Sequence, residues 1–439
     1  MSDCVPAEYA GANAMTRQFD VVVIGAGPAG IAAAARAAEE GCRVAMVDEN
    51  RHAGGQIWRT SLGKAESGKR AGGEWIERLG RTSVETFLGW RIFDAPGTKT
   101  LLAGCESERV KFQFKSLVIA TGARERFLPF PGWTLPNVLG AGGLQALVKT
   151  GLPIAGKRVV VAGTGPLLIA VAAYLRQRGA DIVALCEQAS FGSLAKFGVG
   201  LMRQPGKLLD AAHYGWQTRG LRLRTSCWPT AALGEERVEA VVLNDGGRTV
   251  EVKADYLACG FHLVPNCELA LLLGCELNGS YVRVDEFQQT SVADLYTAGE
   301  TTGIGGVEAA LAEGQIAGLA AAGARDKTQW LRKERNGTMR FTRLLDRTYA
   351  LNPELRKLVS PETIVCRCED VTLEEVGDHA SWRAAKLQSR VGMGSCQGRI
   401  CGSACEFLFG WGMDSVRPPI QPMPIGDLIG RRQAMADKD

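Results

Sequence analysis

At 439 residues the chain is longer than one ordinary hydrophobic core serves, so two or three domains are expected. It is 46% apolar and 22% charged, as globular proteins are, and its net charge of +4 is too mild to point to nucleic acid. No run of 18 apolar residues occurs, which argues against a membrane-spanning helix. The 13 cysteines are scattered singly except near the C-terminus, a usage that fits a reducing cytoplasm better than a disulfide framework.

Residues 1–17 carry neither the basic region nor the apolar run of a secretory signal and read as a flexible tail. Next comes "FDVVVIGAGPAGIAAAARAAEEGCRVAMVDEN". Val21 to Ile24, with Phe19 before them, make a buried strand; an Ala-rich helix runs to about Glu40, and Val44 to Val47 make the next strand. Between strand and helix stand Gly25, Gly27 and Gly30, with Pro28 and Ala29 filling the interval. Gly25 permits the tight turn, Gly27 lets backbone approach a pyrophosphate, and Gly30 lets helix pack closely on strand. The pyrophosphate of a dinucleotide then sits at the positive end of the helix. Asp48 ends the second strand about 20 residues on, where a carboxylate takes ribose hydroxyls. Glu49, Gly55 and Gln56 are counted with the same cofactor-binding set.

Two later segments bear on which dinucleotide this is. "FKSLVIATGARE" is a strand ending in Ala120, Thr121 and Gly122. "TSVADLYTAGETTGIGGVEAALAEGQIAG" is a strand from Leu295 to Ala298, then Gly299 and Glu300, then a Gly-rich entry into a helix at Gly306 and Val307. Both resemble the motifs with which two-domain flavoprotein oxidoreductases complete an FAD site. That resemblance implies an acid on the flavin side of the pyrophosphate and a helix N-terminus aimed at the isoalloxazine. The acid is usually Asp; Glu300 reaches roughly an ångström further, the length of one added C–C bond.

"GKRVVVAGTGPLLIAVAAYLRQRGADIVALCEQ" repeats the strand–turn–helix–strand plan, so a second dinucleotide-type domain is expected within the first. Gly163 and Gly165 stand in place, but Leu168 holds the third position, and Glu187 ends the second strand. The departure favours a retained scaffold over a working nicotinamide site. Phe197, Met202 and Trp216 are read as core. Cys42 stands alone at a helix end, and Cys42, Cys259, Cys267 and Cys275 are all read as small buried hydrophobes, with no redox dithiol of the disulfide-reductase kind. His52, His213, His262 and His379 are isolated, and no catalytic residue is assigned.

Near the end, "TIVCRCEDVT" and "VGMGSCQGRICGSACEF" place Cys366 and Cys368 in C-x-C and Cys396 and Cys401 in C-x4-C. Four thiolates close a tetrahedral zinc site or hold a [2Fe–2S] cluster. C-x-C is tighter than the spacing common in structural zinc sites and suits two ligands to one iron, with Cys396 and Cys401 on the other; zinc is the alternative. Small residues around Cys396 leave backbone amides for the cluster sulfurs, and a helix from about Arg399 directs its positive end there. Cys405 is read as a buried helix residue.

"CRCEDVT" and "GMGSCQGRICG" resemble the bacterioferritin-associated-ferredoxin type of [2Fe–2S] domain. "VDENRHAGGQIWR", "RFLPFPGWTLPNVLGAGGLQALVKTG" and "RPPIQPMPIGDL" resemble the FAD-binding α subunits of multi-subunit amino-acid and opine dehydrogenases. That group includes opine oxidases, D-hydroxyproline dehydrogenase, dye-linked L-proline dehydrogenase and hydrogen cyanide synthase. The resemblance implies an α/β fold with two Rossmann-like domains of the disulfide-reductase-like flavoprotein type, plus a small helical [2Fe–2S] domain. The expected boundaries are 18–152 with 285–326 for the FAD domain, 153–284 for the second Rossmann-like domain, 327–360 for a linker, 361–410 for the cluster domain and 411–439 for an extension. The resemblance also implies a D-amino-acid-oxidase-like β subunit with its own FAD, and allows a small third subunit, FMN at a subunit interface and a peripheral link to a respiratory chain. The expected role is electron transfer in the cytoplasm. A stand-alone NAD(P)H-dependent flavin reductase and a non-catalytic assembly scaffold are the alternatives.

Overall fold

In the computed structural model, residues 15–58, 70–105, 108–202, 215–412 and 416–423 are described. The elements that position the sites are, in chain order, β1 (Met15–Ile24), α1 (Pro28–Glu39), β2 (Val44–Asp48), β3 (Glu85–Leu88), β4 (Arg91–Gly97), β5 (Thr100–Gly104) and β6 (Arg109–Ile119). They continue with β7 (Val138–Gly140), α2 (Ala141–Lys149), β8 (Arg158–Thr164), α3 (Pro166–Gln177), β9 (Asp181–Glu187), β10 (Leu223–Thr225) and β11 (Tyr256–Phe261). The last are β12 (Leu295–Thr297), α4 (Gly306–Ala321), α5 (Gln329–Thr348), α6 (Trp382–Ser389) and α7 (Cys401–Phe409).

Two compact units result. The first comprises residues 1–123, 265–339 and 416–439, and the second 124–264 and 340–415. The first unit holds a seven-stranded sheet in the order β3-β2-β1-β6-β5-β4, with β12 added beside β6. β6 is long enough to serve three neighbours: all of it follows β1, its first half pairs antiparallel with β5, and its last residues pair parallel with β12. The apolar run Val21–Ile24 is wholly or almost wholly buried, as a central parallel strand covered on both faces requires. Helix α1 lies against α4 through small residues. A Cβ on Gly314 would sit 2.2 Å from the Ala29 carbonyl oxygen, and one on Gly318 would sit 2.3 Å from that of Ala33. The two helices therefore touch backbone to backbone, which fixes their N-termini relative to each other.

The second unit holds a five-stranded sheet in the order β10-β9-β8-β11-β7, all pairs parallel. The residues carrying Cys366 to Cys405 belong to this unit and build a small core of their own from Val365, Val371, Val376, Trp382, Ala385, Val391 and Cys405.

Several expectations need correction. Residues 124–152 fold with the second unit instead of the first, and 265–284 with the first instead of the second. The reason is that β7 pairs with β11, while Cys267, Leu269 and Cys275 pack into the core beneath β1 and β6. The expected linker contains the 20-residue helix α5. Of the expected tail, Met15–Arg17 already pair with Val110–Phe112; residues 1–14 lie outside the described residues, as does His213. Part of the expected extension returns to the first unit, where the Ile420 amide donates to the Phe93 carbonyl at 2.9 Å. Met202 and Trp216 are each 71% exposed, so neither is core; Phe197 does pack, against Phe341 and Tyr349. Helix α7 begins at Cys401, two residues later than expected.

Candidate functional site

The first site forms where β1, β6 and β12 end. Gly25 has a left-handed φ of +107°, and a Cβ there would lie 2.2 Å from the Ala120 carbonyl oxygen. A Cβ on Gly30 would lie 1.8 Å from the Gly25 carbonyl oxygen, so helix and turn meet backbone to backbone. Gly27 differs: its φ is −79°, and the nearest atom to a Cβ there is the Gly55 Cα at 4.0 Å. Its hydrogen is not required by packing, so the open cradle above it is what its small size preserves. Gly54 and Gly55 close one side of that cradle. The Gly54 amide donates to the Ala26 carbonyl at 2.7 Å, and Gly55 lies so near Gly27 that a Cβ would fall 2.9 Å from its Cα. Gln56 is exposed beside them.

Asp48 is placed at the end of β2, yet its carboxylate already serves the loop. Oδ2 accepts from the Ala26 amide at 2.6 Å, and Oδ1 accepts from the Asn50 amide and side chain, both at 2.7 Å. A carboxylate has about four acceptor sites, so ribose contact is still open to it. Glu49 is half exposed and pairs with Arg91 at 3.6 Å.

On the other side, Thr121 and Gly122 are tied down by Asn266. Its side-chain amide donates to the Thr121 carbonyl at 2.9 Å, and its backbone amide to the Gly122 carbonyl at 2.9 Å. Gly299 bends at φ +82°, and its amide donates to Glu313 at 2.9 Å. Glu300 Oε1 accepts from the Gly306 amide at the start of α4, 3.1 Å away, whereas its buried Oε2 has no partner among the described residues. Burial, with Glu313 nearby, pushes the Glu300 carboxyl up to about 7. Val307 is half-buried in the first turn of the same helix. All sixteen expected cofactor-binding residues thus fall in the first unit. The cradle at Gly27 and the orphaned acid at Glu300 fit a dinucleotide with polar groups to offer.

Glu313 was missed in the sequence. It is buried in the middle of α4, where it gathers the Gly299 amide, the Thr302 hydroxyl at 2.6 Å and the Arg335 guanidinium at 3.3 Å. Burial raises its pKa even beside Arg335. A single acid within the apolar stretch "AALAEGQIAG" is the signal by which it could have been found.

Glu300 gives a pH dependence. Its pKa rises from 4.5 to about 7 on folding, so between those values the folded flavin-free chain binds more protons than the unfolded one. Stability is therefore lost as pH rises through that window, by on the order of 2–3 kcal/mol. Glu300→Gln is expected to abolish this part of the slope. Melting midpoints of flavin-free wild type and variant at pH 5 and pH 8 test it; equal slopes would refute it.

The repeated loop in the second unit is built differently. Gly165 occupies the place of Gly27 but has φ +104°, and Leu168 is buried in the helix core. Glu187 fills the loop: Oε2 accepts from the Gly165 amide at 2.7 Å, and Oε1 accepts from the Thr164 hydroxyl at 2.7 Å and the Ala189 amide at 2.8 Å. The chain's own carboxylate thus holds the amide that an incoming pyrophosphate would need.

The four thiols come together at the start of α7. Cys401 lies within hydrogen-bond reach of both Cys366 and Cys396, and Cys396 of Cys368, giving a row of contacts. No three His, Cys, Asp or Glu donors among the described residues gather on one point as the ligands of a single ion do. Hydrogen bonding from Cys401 holds the Cys366 thiol down at about 6 and that of Cys396 at about 5, while Cys401 itself is pushed up. The Gly392 amide approaches Cys366 Sγ at 3.5 Å and the Ser395 hydroxyl approaches Cys368 Sγ at 3.7 Å. A Cβ on Gly394 would meet that of Cys368 at 2.3 Å, so the loop closes only with glycine there. Cys405 is fully buried, and burial pushes its thiol up to about 12, as a core residue's would be. Cys259, Cys267 and Cys275 are likewise buried, but Cys42, expected with them, is only half-buried just past the end of α1. His52 is exposed and His379 half-buried. His262 lies beside Asp346, with burial lowering its pKa.

Residues 19–314 match the family model described as pyridine nucleotide-disulphide oxidoreductase. The chain is 30% identical to the HcnB component of hydrogen cyanide synthase from Pseudomonas protegens, covering 95% of this chain and 99% of that protein. It is 32% identical to an opine oxidase subunit of Rhizobium meliloti, covering 93% and 98%. Among solved structures, L-proline dehydrogenase from P. horikoshii superposes with a TM-score of 0.69 at 20% identity, covering 96% of this chain and 82% of that one.

Proposed function

The chain belongs to the pyridine nucleotide-disulphide oxidoreductase family, together with its opine oxidase and hydrogen cyanide synthase relatives, and from that membership we propose that it is the flavin and iron–sulfur electron-transfer subunit of an amino-acid or opine dehydrogenase complex. The family implies FAD, and the Gly27 cradle is where its pyrophosphate would lie, with Glu300 and the N-terminus of α4 toward the flavin. A D-amino-acid-oxidase-like β subunit with its own FAD would oxidise the CH–NH bond of the substrate. FMN at a subunit interface and a small third subunit are compatible with this reading. In the proposed complex, FAD supplies two-electron exchange and a [2Fe–2S] cluster supplies single-electron carriage.

The observation that carries the reading is the occurrence in one chain of a flavin-type cradle and a row of four thiols. Four sulfurs in one row are enough ligands for two irons, and the pKa of Cys366 and of Cys396 is lowered, which eases loss of their protons to metal. Within that reading, Gly392 and Ser395 direct donors at ligand sulfurs, which stabilises added negative charge. The filled loop at Glu187 weighs against a stand-alone NAD(P)H reductase. No helix among the described residues is long and apolar enough to cross a membrane, and we place the complex in the cytoplasm, with any respiratory link peripheral.

The experiment is co-expression with the genomic neighbour that encodes an amino-acid-oxidase-like chain. Alone, this chain is expected to turn over no opine, D-hydroxyproline, proline or glycine with an artificial dye, and NADH or NADPH is expected to leave its flavin absorbance unchanged. Co-expression is expected to bring dye reduction by one of these substrates. Turnover by the isolated chain, or rapid bleaching by NAD(P)H, would overturn the division of labour.

A further inference from the structure

Arg124 opens the second unit, two residues after Gly122. It directs Nε at the Arg399 carbonyl oxygen, 3.0 Å away. Arg399 stands between Cys396 and Cys401 in the loop that carries both, and its amide and guanidinium return to the Cys396 carbonyl at 3.1 and 3.3 Å. Glu125 anchors the next step of the chain, accepting from the Gly142 and Gly143 amides at 2.7 and 3.0 Å. The backbone that presents Arg124 is therefore held in place while the side chain grips the cysteine loop. Three more contacts seat the cysteine region within the second unit: Trp133 Nε1 to the Ile364 carbonyl at 2.6 Å, Arg356 Nε to the Phe407 carbonyl at 2.8 Å, and Arg126 to Glu406 at 3.6 Å. Of the four, only Arg124 grips the stretch between the two cysteines.

We propose that Arg124 is the positioning residue that sets the Cys396–Cys401 loop within its unit, and that its charge favours the reduced state of the group the four thiols hold. This rests on the iron–sulfur reading above. A fixed guanidinium stabilises an added electron, and a lysine keeps the charge but not the directed Nε–H.

The test uses the full-length chain, anaerobically reconstituted with iron and sulfide. Iron, sulfide and the visible spectrum of the wild type are measured first; zinc without iron there would refute the iron–sulfur reading, and Arg124 would then be untied from any redox role. With iron present, Arg124→Gln is expected to keep its iron. At fixed potential its reduced-to-oxidised ratio should fall about tenfold, the scale of one charge roughly 10 Å away in a protein-like dielectric. Its paramagnetic signal should broaden. Arg124→Lys should restore the ratio but not the line shape, and Arg356→Gln should alter neither. An Arg124→Gln protein with full iron and unchanged ratio and line shape would overturn the proposal. So would iron loss equal in Arg124→Gln and Arg356→Gln, which would mark both as mere fasteners.

Discussion

Gly27→Val is expected to leave a folded chain that purifies without the yellow colour of flavin. In the proposed site the pyrophosphate would be held by loop amides and the positive end of α1, and it would need the space over Gly27, where nothing lies within 4 Å of a Cβ but the Gly55 Cα at 4.0 Å. A branched side chain there would fill the cradle and hold the phosphates off the amides. Losing those charged hydrogen bonds weakens binding by roughly 3 kcal/mol or more, more than about a hundredfold. The fold is spared because φ is −79° and the nearest atom to a new Cβ is 4.0 Å away. Gly30→Ala provides the contrast: its Cβ would lie 1.8 Å from the Gly25 carbonyl oxygen, so that variant should lose structure as well as flavin. Flavin released by heat, quantified per chain, with far-ultraviolet circular dichroism alongside, checks both. Stoichiometric flavin in Gly27→Val would remove the dinucleotide from this loop.

Gly25 and Gly30 show why the first motif was legible in the sequence. Each answers a steric demand made by atoms within a few residues or on the adjoining strand, so the pattern of glycines alone announces it. Leu168 was legible for the same reason, since a large side chain at the third position signals a loop of another shape. The role of Glu187 was not, because whether a carboxylate at the end of a strand faces outward to a ribose or inward to Gly165 depends on a loop conformation that spacing does not encode. Asp48 posed the same ambiguity. Domain boundaries were harder still: the chain leaves the first unit at Ala123 and re-enters it at Pro265, and neither crossing is marked by a run of Gly, Pro or Ser. Helix α5, whose sequence is strongly basic, falls within the expected linker. What holds it includes the long-range ion pairs of Arg335 with Glu313 and Arg332 with Glu286, and contact of Phe341 with Phe197, all dependent on tertiary structure. Met202 and Trp216 misled in the opposite direction, since size and apolarity alone do not place a residue inside.

Cys396→Ser is expected to remove the brown colour and the paramagnetic signal of a reduced cluster while the flavin stays. Cys396 sits in the middle of the row, bonded to Cys401 on one side and Cys368 on the other, and its thiol is held down near 5, so it is a ready thiolate at neutral pH. A serine hydroxyl keeps the shape but binds soft metal far less well. The surrounding core of Val365, Val376, Trp382 and Val391 is small, and loops built on Gly392, Gly394 and Gly398 supply little apolar surface, so the region depends on what its thiols hold. Loss of that group should therefore be seen as a lower first melting transition, by on the order of 10 °C, with the flavin unit melting as before. Cys405→Ser separates ligand from filler. Its sulfur is buried in the helix core with its thiol pushed up to about 12, so the variant should keep its iron and lose only about 1 kcal/mol, the scale of one buried polar mismatch. Electron delivery to a one-electron dye should fall in Cys396→Ser even where the flavin is fully reduced by dithionite. Anaerobic wild-type protein with one zinc and no iron or sulfide would overturn the assignment, and a Cys396→Ser chain with full iron would take Cys396 out of the ligand set.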